Sequence, residues 1–160
     1  MRAVTKSLVA LLLCLSVGSA WADLTGKVVA VTDGDTLTVL DSDQRQIKVR
    51  LAQIDSPEKK QPYGQTAKQS LAALCFGVVA KIHPAARDRY GRTVAQVQCR
   101  GLDVNREQVR LGMAWVYDKY VEDRTLYEDQ AQARAAKRGL WALPRPVAPW
   151  EWRKARRSEG

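Results

Sequence analysis

The sequence predicts a five-stranded Greek-key β-barrel with about three helices appended, an α+β arrangement, and three observations lead there. Short runs rich in β-branched residues, separated by turn formers, fill the first half of the chain. The hydrophobic period switches to about 3.6 residues between Tyr63 and Phe76, and helical patterns return after Asn105. Once a leader is subtracted, the remaining length suits one compact core.

The leader comes first. Arg2 and Lys6 give a basic start, Leu8 to Val17 is an apolar run shorter than the roughly 20 residues that span a bilayer, and Ala20-Trp21-Ala22 fits a small-residue cleavage site. Residues 1–22 are therefore expected to be a signal peptide cut after Ala22, giving an exported protein, periplasmic or secreted, without stable membrane insertion. Cutting there leaves 138 of the 160 residues and lowers the formal charge from +9 to +7, because only Arg2 and Lys6 are lost. Such a charge calls for an anionic partner, and nucleic acid, anionic lipid and acidic polysaccharide all qualify.

Strands are expected over Lys27 to Thr32, Thr36 to Leu40 and Gln46 to Ala52, with Asp41-Ser42-Asp43-Gln44 as a turn. In the third, Ile47, Val49 and Leu51 share one face and Lys48 and Arg50 the other, and Pro57 lies beyond its end. Ala67, Leu71, Leu74 and Cys75 form one helical stripe that Gly77 can end. Val78 to Ile82 and Thr93 to Val97 complete five strands. A second helix is expected from Asn105, with Gln108 at the capping-box position, to Gly112, and a third from Thr125, with Glu128 three residues on, to Gly139. This layout fits a barrel of the OB type, and an α+β sandwich is the competing arrangement. The unit spans 23–150, followed by a basic tail over 151–160 that is either unstructured or adds affinity for a polyanion.

Two cysteines outlast the leader, Cys75 and Cys99, which in an oxidising compartment corresponds to one disulfide, the alternative being two buried thiols. With His83 the lone histidine, a structural zinc site lacks its four ligands.

The chemistry concentrates in three motifs: Asp33-Gly34-Asp35-Thr36, Arg50-Leu51-Ala52-Gln53-Ile54-Asp55-Ser56-Pro57-Glu58, and Asp88-Arg89-Tyr90-Gly91-Arg92. Asp35 and Asp55 offer hard oxygens to a divalent cation such as Ca²⁺. Glu58 can deprotonate a water. Arg50 and Arg92 suit phosphate, since a planar guanidinium donates two parallel hydrogen bonds and keeps its charge. Each piece alone also reads as an ordinary turn or surface charge; the combination is that of a phosphodiesterase.

With these motifs the chain resembles the staphylococcal nuclease (thermonuclease) family of secreted and periplasmic nucleases, from Val28-Val29-Ala30-Val31-Thr32-Asp33-Gly34-Asp35-Thr36 to Ala131 through Trp141. The resemblance implies an OB-type barrel and Ca²⁺-dependent cleavage of DNA and RNA leaving 3′-phosphate ends. It implies Asp35, Asp55 and the main-chain carbonyl of Ser56 as calcium ligands, Ser standing where the family usually has Thr. It further implies Glu58 as the group acting on water, Arg50 and Arg92 on the scissile phosphate, and Arg89 and Tyr90 on a terminal phosphate. The fold so implied puts the end of the first helix beside the strand ending at Cys99, which suits a Cys75–Cys99 bond. Two departures stand out: the lysine-rich loop after the glutamate is shortened to Lys59-Lys60-Gln61-Pro62, and Tyr117 and Tyr120 do not align securely with the family's base-stacking tyrosines. A monomer is the expected state. The competing readings are a catalytically inactive barrel that binds single strands or another polyanion, and a cationic envelope-binding protein.

Overall fold

The computed structural model describes residues 22–158, so the leader expected over 1–22 lies, but for its last residue, outside the described chain. Strands β1 (Leu24–Asp33), β2 (Thr36–Leu40) and β3 (Gln46–Leu51) form an antiparallel meander, with the Asp33-Gly34-Asp35 turn between the first two. A two-residue strand, β4 (Ile54–Asp55), follows before helix α1 (Gly64–Cys75). β5 (Val79–Arg87) returns antiparallel to β1, and β6 (Thr93–Cys99) pairs with β5. β6 also meets β3 in parallel, Val49 opposite Thr93 and Leu51 opposite Ala95, which closes five strands into a barrel in the order β3-β2-β1-β5-β6. Register shifts in β1 between Val28 and Ala30 and between Val31 and Asp33 let one strand bend around the barrel.

The interior is aliphatic. Val28, Leu37, Val39, Val49, Leu51, Ala80, Ile82, Ala95 and Val97 are completely buried. β3 and β6 alternate in burial as a barrel wall requires, and Arg50 faces away from Val49 and Leu51. Leu71 and Cys75 of α1 plug one end of the core, and the Cys75–Cys99 disulfide, with Cα atoms 5.4 Å apart, ties the last residue of α1 to the last residue of β6.

The remaining elements are β7 (Leu102–Asp103), α2 (Val104–Arg110), β8 (Trp115–Val116), α3 (Leu126–Ala135), a 3₁₀ turn over Gly139–Ala142, and α4 (Pro149–Ser158). Two helix boundaries differ from expectation. α2 is capped by Asp103, whose side chain accepts from the Arg106 N–H, so Asn105 lies inside the helix instead of capping it. α3 ends at Ala135 and not near Gly139: Lys137 and Gly139 take positive φ, and Gly139 opens the 3₁₀ turn. Thr125 does precede α3, but its hydroxyl donates to Asp123 and makes no capping bond. The stretch read as a basic tail begins inside α4, a fourth helix led by Pro149 at a position that needs no N–H.

Candidate active site

The carboxylates gather where the β1–β2 turn meets the end of β3. The Asp33 side chain accepts from the Asp35 N–H at 3.1 Å, tightening the turn. Gly34 is required there, since a Cβ would lie 2.6 Å from the Ala67 Cβ and 2.7 Å from the Ser56 Oγ. Asp35 is 5% exposed; its Oδ2 accepts from the Ser56 N–H at 2.7 Å and its Oδ1 from the Thr36 hydroxyl at 3.1 Å. Asp55, 2% exposed, is fixed by the short β4–β8 ribbon. The Ser56 hydroxyl donates to the Met113 carbonyl at 2.9 Å, so the side chain is committed elsewhere and its main-chain oxygen is what Ser56 can offer a cation.

Arginines interleave with these acids. Arg50 on β3 reaches Asp35 Oδ1 at 3.3 Å and Asp55 Oδ1 at 3.0 Å, and donates to the Leu51 carbonyl at 2.6 Å. Arg92, just ahead of β6, is brought beside Arg50 by the parallel β3–β6 pairing; its Nη1 donates to the Thr36 hydroxyl at 3.3 Å. Thr36 thus links the second arginine to Asp35. Asp88 shapes the loop that carries Arg92, accepting from the N–H groups of Tyr90 and Arg92 at 2.9 and 3.0 Å and from Arg92 Nε at 2.7 Å. In the same loop Arg89 donates to the Tyr90 hydroxyl at 2.6 Å, and the exposed Tyr90 ring lies under both Arg89 and Arg92.

Glu58 stands on the far side of Asp55. Its N–H is held by the Gln61 side chain at 3.0 Å and its carbonyl accepts from the Gln61 N–H at 2.8 Å. Gly64 makes this turn fit, because a Cβ would land on the Glu58 carbonyl. Of the residues singled out in the sequence, Asp35, Arg50, Asp55, Ser56, Glu58 and Arg92 lie together here and Arg89 and Tyr90 stand at the exposed edge of the Asp88 loop; Arg153 was not among them. From α4, Arg153 donates Nη1 to Glu58 Oε1 at 2.7 Å and Nη2 to Asp55 Oδ2 at 2.8 Å. Trp150, one turn earlier, stacks on Tyr117 with centroids 5.4 Å apart and planes at 1°, and Tyr120 meets Tyr117 edge-on. A signal did exist: two tryptophans just after Pro149 are more than an unstructured tail carries.

Electrostatically the cluster is short of positive charge. Burial, and then repulsion from Asp35, pushes the Asp33 carboxyl up to about 7. Burial also raises Asp55, with Asp35 adding to the rise and Arg153 and Arg50 opposing it. Burial works against the charge on Arg153, yet its bonds to Asp55 and Glu58 outweigh that and raise its pKa. Buried oxygens that repel one another fit a hard divalent cation. Among the described residues no three His, Cys, Asp or Glu side chains form a ready cage. The groups placed to offer oxygens to such a cation are Asp35, Asp55 and the main-chain carbonyl of Ser56.

The family model described as Staphylococcal nuclease homologue matches residues 48–143, which include Arg50, Asp55, Glu58 and Arg92. This chain belongs to the staphylococcal nuclease family. It is 46% identical to a protein of Escherichia coli named an uncharacterized endonuclease, over 82% of this chain and 86% of that one. It is 41% identical to the micrococcal nuclease of Shigella flexneri, over 97% and 92% of the two chains. A probable staphylococcal-like nuclease of Oryza sativa subsp. japonica is 38% identical over 71% of this chain and 34% of its own. The family match stops at residue 143, ahead of α4, so the helix that carries Arg153 lies beyond it.

Two buried amides behind the site were legible only as helix caps. Asn105, fully buried, accepts from the Val97 N–H and donates to the carbonyls of Ala52 and Ala95, pinning α2 to the β3–β6 seam. Gln108 donates to the carbonyls of Gly34 and Ala67 and accepts from Ser70, so it braces the turn that presents Asp35.

Proposed function

We propose that this protein is an exported Ca²⁺-dependent nuclease, periplasmic or secreted, that hydrolyses phosphodiester bonds of DNA and RNA and leaves 3′-phosphate ends. The observation that carries this reading is the convergence of Asp35 and Asp55 on Arg50, at 3.3 and 3.0 Å, with Arg92 joined through Thr36 and Glu58 held beside Asp55 by Arg153. Family membership and relatives named endonuclease and nuclease support it.

The scissile phosphate is received by Arg50 and Arg92, whose guanidiniums reach it from β3 and from the loop just ahead of β6 and stay charged throughout the reaction. Glu58 orients a water in line with the leaving 5′ oxygen and takes its proton as the new P–O bond forms. As that bond forms and the P–O5′ bond breaks, negative charge grows on the equatorial oxygens, where the two arginines stabilise it, and the departing 5′ oxygen takes up a proton from solvent water to leave as the 5′-hydroxyl. A calcium ion held by Asp35, Asp55 and the Ser56 carbonyl would add fixed positive charge at the phosphoryl oxygens. Arg89 and Tyr90, at the exposed edge beside Arg92, suit a terminal phosphate. No covalent intermediate is required, and a monomer contains the whole site.

The reading of a binding barrel without catalysis has one observation behind it, the Arg153 guanidinium on Glu58. Digestion of single-stranded DNA, duplex DNA and RNA by the mature protein with Ca²⁺, with Mg²⁺ and with chelator decides between them. Cleavage that needs Ca²⁺ and is lost in Glu58→Gln is the expected result. Binding without cleavage under every condition would overturn the proposal.

A further inference from the structure

Beside Glu58, and outside the carboxylate cluster, two segments far apart in sequence make a groove of about 350 Å³. That lies within the range of ligand clefts, roughly 300–1,000 Å³. Lys59 and Lys60 form one wall; Arg153, Arg156 and Arg157 of α4 form the other. Spacing of three and four residues puts those arginines on one helix face.

The walls are held in place. The Gln61 side chain accepts from the Glu58 N–H and donates to the Val147 carbonyl at 2.7 Å, fastening the Glu58–Lys60 turn to the segment that leads into α4. Trp152 lines an apolar recess together with Pro57, Pro62, Leu140 and Leu143. Among the described residues neither lysine, nor Arg156, nor Arg157 pairs with a carboxylate, whereas Arg153 pairs with two. Four unneutralised cations facing one groove repel each other, which weakens the fold unless an anion is taken there. The groove is also continuous with the site through Glu58 and Arg153.

We propose that this groove binds the sugar–phosphate backbone of the substrate strand next to the scissile linkage, with Lys59, Lys60, Arg156 and Arg157 on its phosphates and Arg153 at the inner end. The inference rests on the nuclease reading. It assigns to α4, beyond the family match, part of the grip on the strand that the shortened loop after Glu58 cannot supply alone.

The test is binding of a fluorescent single-stranded oligonucleotide in chelator, read by anisotropy across a salt series with the full mature chain. Each phosphate contact on a single strand adds about 0.7 to the slope of log K against log salt. Lys59→Ala/Lys60→Ala and Arg156→Ala/Arg157→Ala should each reduce that slope by about 1.4 and weaken binding at low salt. The control pair Lys27→Ala/Lys81→Ala, exposed residues of β1 and β5 at the end of the barrel away from Asp35, should leave it unchanged. Slopes that fall no further in the groove pairs than in the control overturn the groove, and if the wild type still cleaves nucleic acid the nuclease reading survives. A wild type that neither binds nor cleaves removes both. Loss of binding to anionic lipid vesicles in the groove pairs, with the oligonucleotide slope intact, would assign the surface to a membrane and overturn the proposal.

Discussion

The charged groups at this site hang from two unlike supports. Asp35, Arg50 and Asp55 stand on or beside barrel strands, are nearly buried, and are each held by several hydrogen bonds. Arg153 stands on the terminal helix, is about a third exposed, and reaches Asp55 and Glu58 from there. α4 is held by Trp150 on Tyr117 and by these two ion pairs, with Trp152 lining the recess beside Pro57 and Leu140. The contrast teaches that the barrel presets the geometry of the acids, while the helix supplies charge that can be exchanged. Groups in a preset frame should be expensive to alter; those on the helix should tune binding.

The widest separation is expected in Glu58→Gln, a group beside the buried acids that the proposed reaction uses, set against Arg153→Gln on the helix. Loss of a group that takes a proton in the transition state lowers turnover by about 10²- to 10⁴-fold, and kcat measured at saturating substrate should show it for Glu58→Gln without a change in melting temperature. Arg153→Gln should retain turnover within an order of magnitude of wild type. An equal collapse in both would mean that Arg153 belongs to the chemistry itself.

Stability tests the frame next. The Cys75–Cys99 bond closes a segment with a sequence separation of 24 residues, and loop-closure entropy gives about 3.5 kcal/mol for such a cross-link. Denaturant unfolding of Cys75→Ser/Cys99→Ser should show a loss of that order. Asn105→Ala should follow, at about 2 kcal/mol, because it strips buried partners from the Val97 N–H and from the Ala52 and Ala95 carbonyls at the seam that closes the barrel. Little change in either would show that the frame does not depend on these ties.

These residues also mark how far the sequence could be read. The β-branched alternation of β3 and β6, and the Ala67-Leu71-Cys75 stripe, follow from burial on one face, so strands, barrel and α1 were legible. The site was legible because carboxylates and arginines are spaced within short motifs that β2, β3 and the Asp88 loop carry as units. Asn105 and Gln108 were not, since a polar residue near a helix start looks the same whether it caps or is buried, and only the tertiary partner decides. Arg153 pairs over a separation of 95 and 98 residues with Glu58 and Asp55, a juxtaposition that no local pattern encodes. The end of α3 was displaced for a similar reason: a positive φ at Lys137 breaks the helix before Gly139, and Gly139 is used for close approach to Gly112.

A smaller effect is expected where the helix meets the frame. Arg153 competes for the oxygens that would hold a cation, so Arg153→Gln should bind Ca²⁺ several-fold more tightly by calorimetry, a shift of about 1 kcal/mol after allowance for solvent screening of a partly exposed pair. Arg153→Lys, which keeps the charge but loses the planar fork, should fall between. Weaker Ca²⁺ binding in Arg153→Gln would show instead that the guanidinium orders the carboxylates for the ion.

The smallest effect should come from the Asp88 loop, which belongs to the barrel but stands further into solvent than the acids. Burial opposes its ionisation, but the Arg92 guanidinium and the N–H groups of Arg92 and Tyr90 outweigh it and hold the Asp88 carboxyl below its ordinary value. A depressed folded pKa means that the unfolded chain takes up the proton first as pH falls. The stabilisation is therefore complete above the ordinary carboxylate range, near pH 4, and disappears as pH drops through the lower folded value. Asp88→Asn should remove this share of the acid dependence and lower stability at neutral pH by less than about 1 kcal/mol, since the pair is partly exposed. Because Asp88 aims Arg92, the same variant should raise KM for oligonucleotides more than it changes the melting temperature. If KM stays fixed while stability drops, Asp88 serves the loop alone, and Arg92 is positioned by Thr36 and the β3–β6 seam.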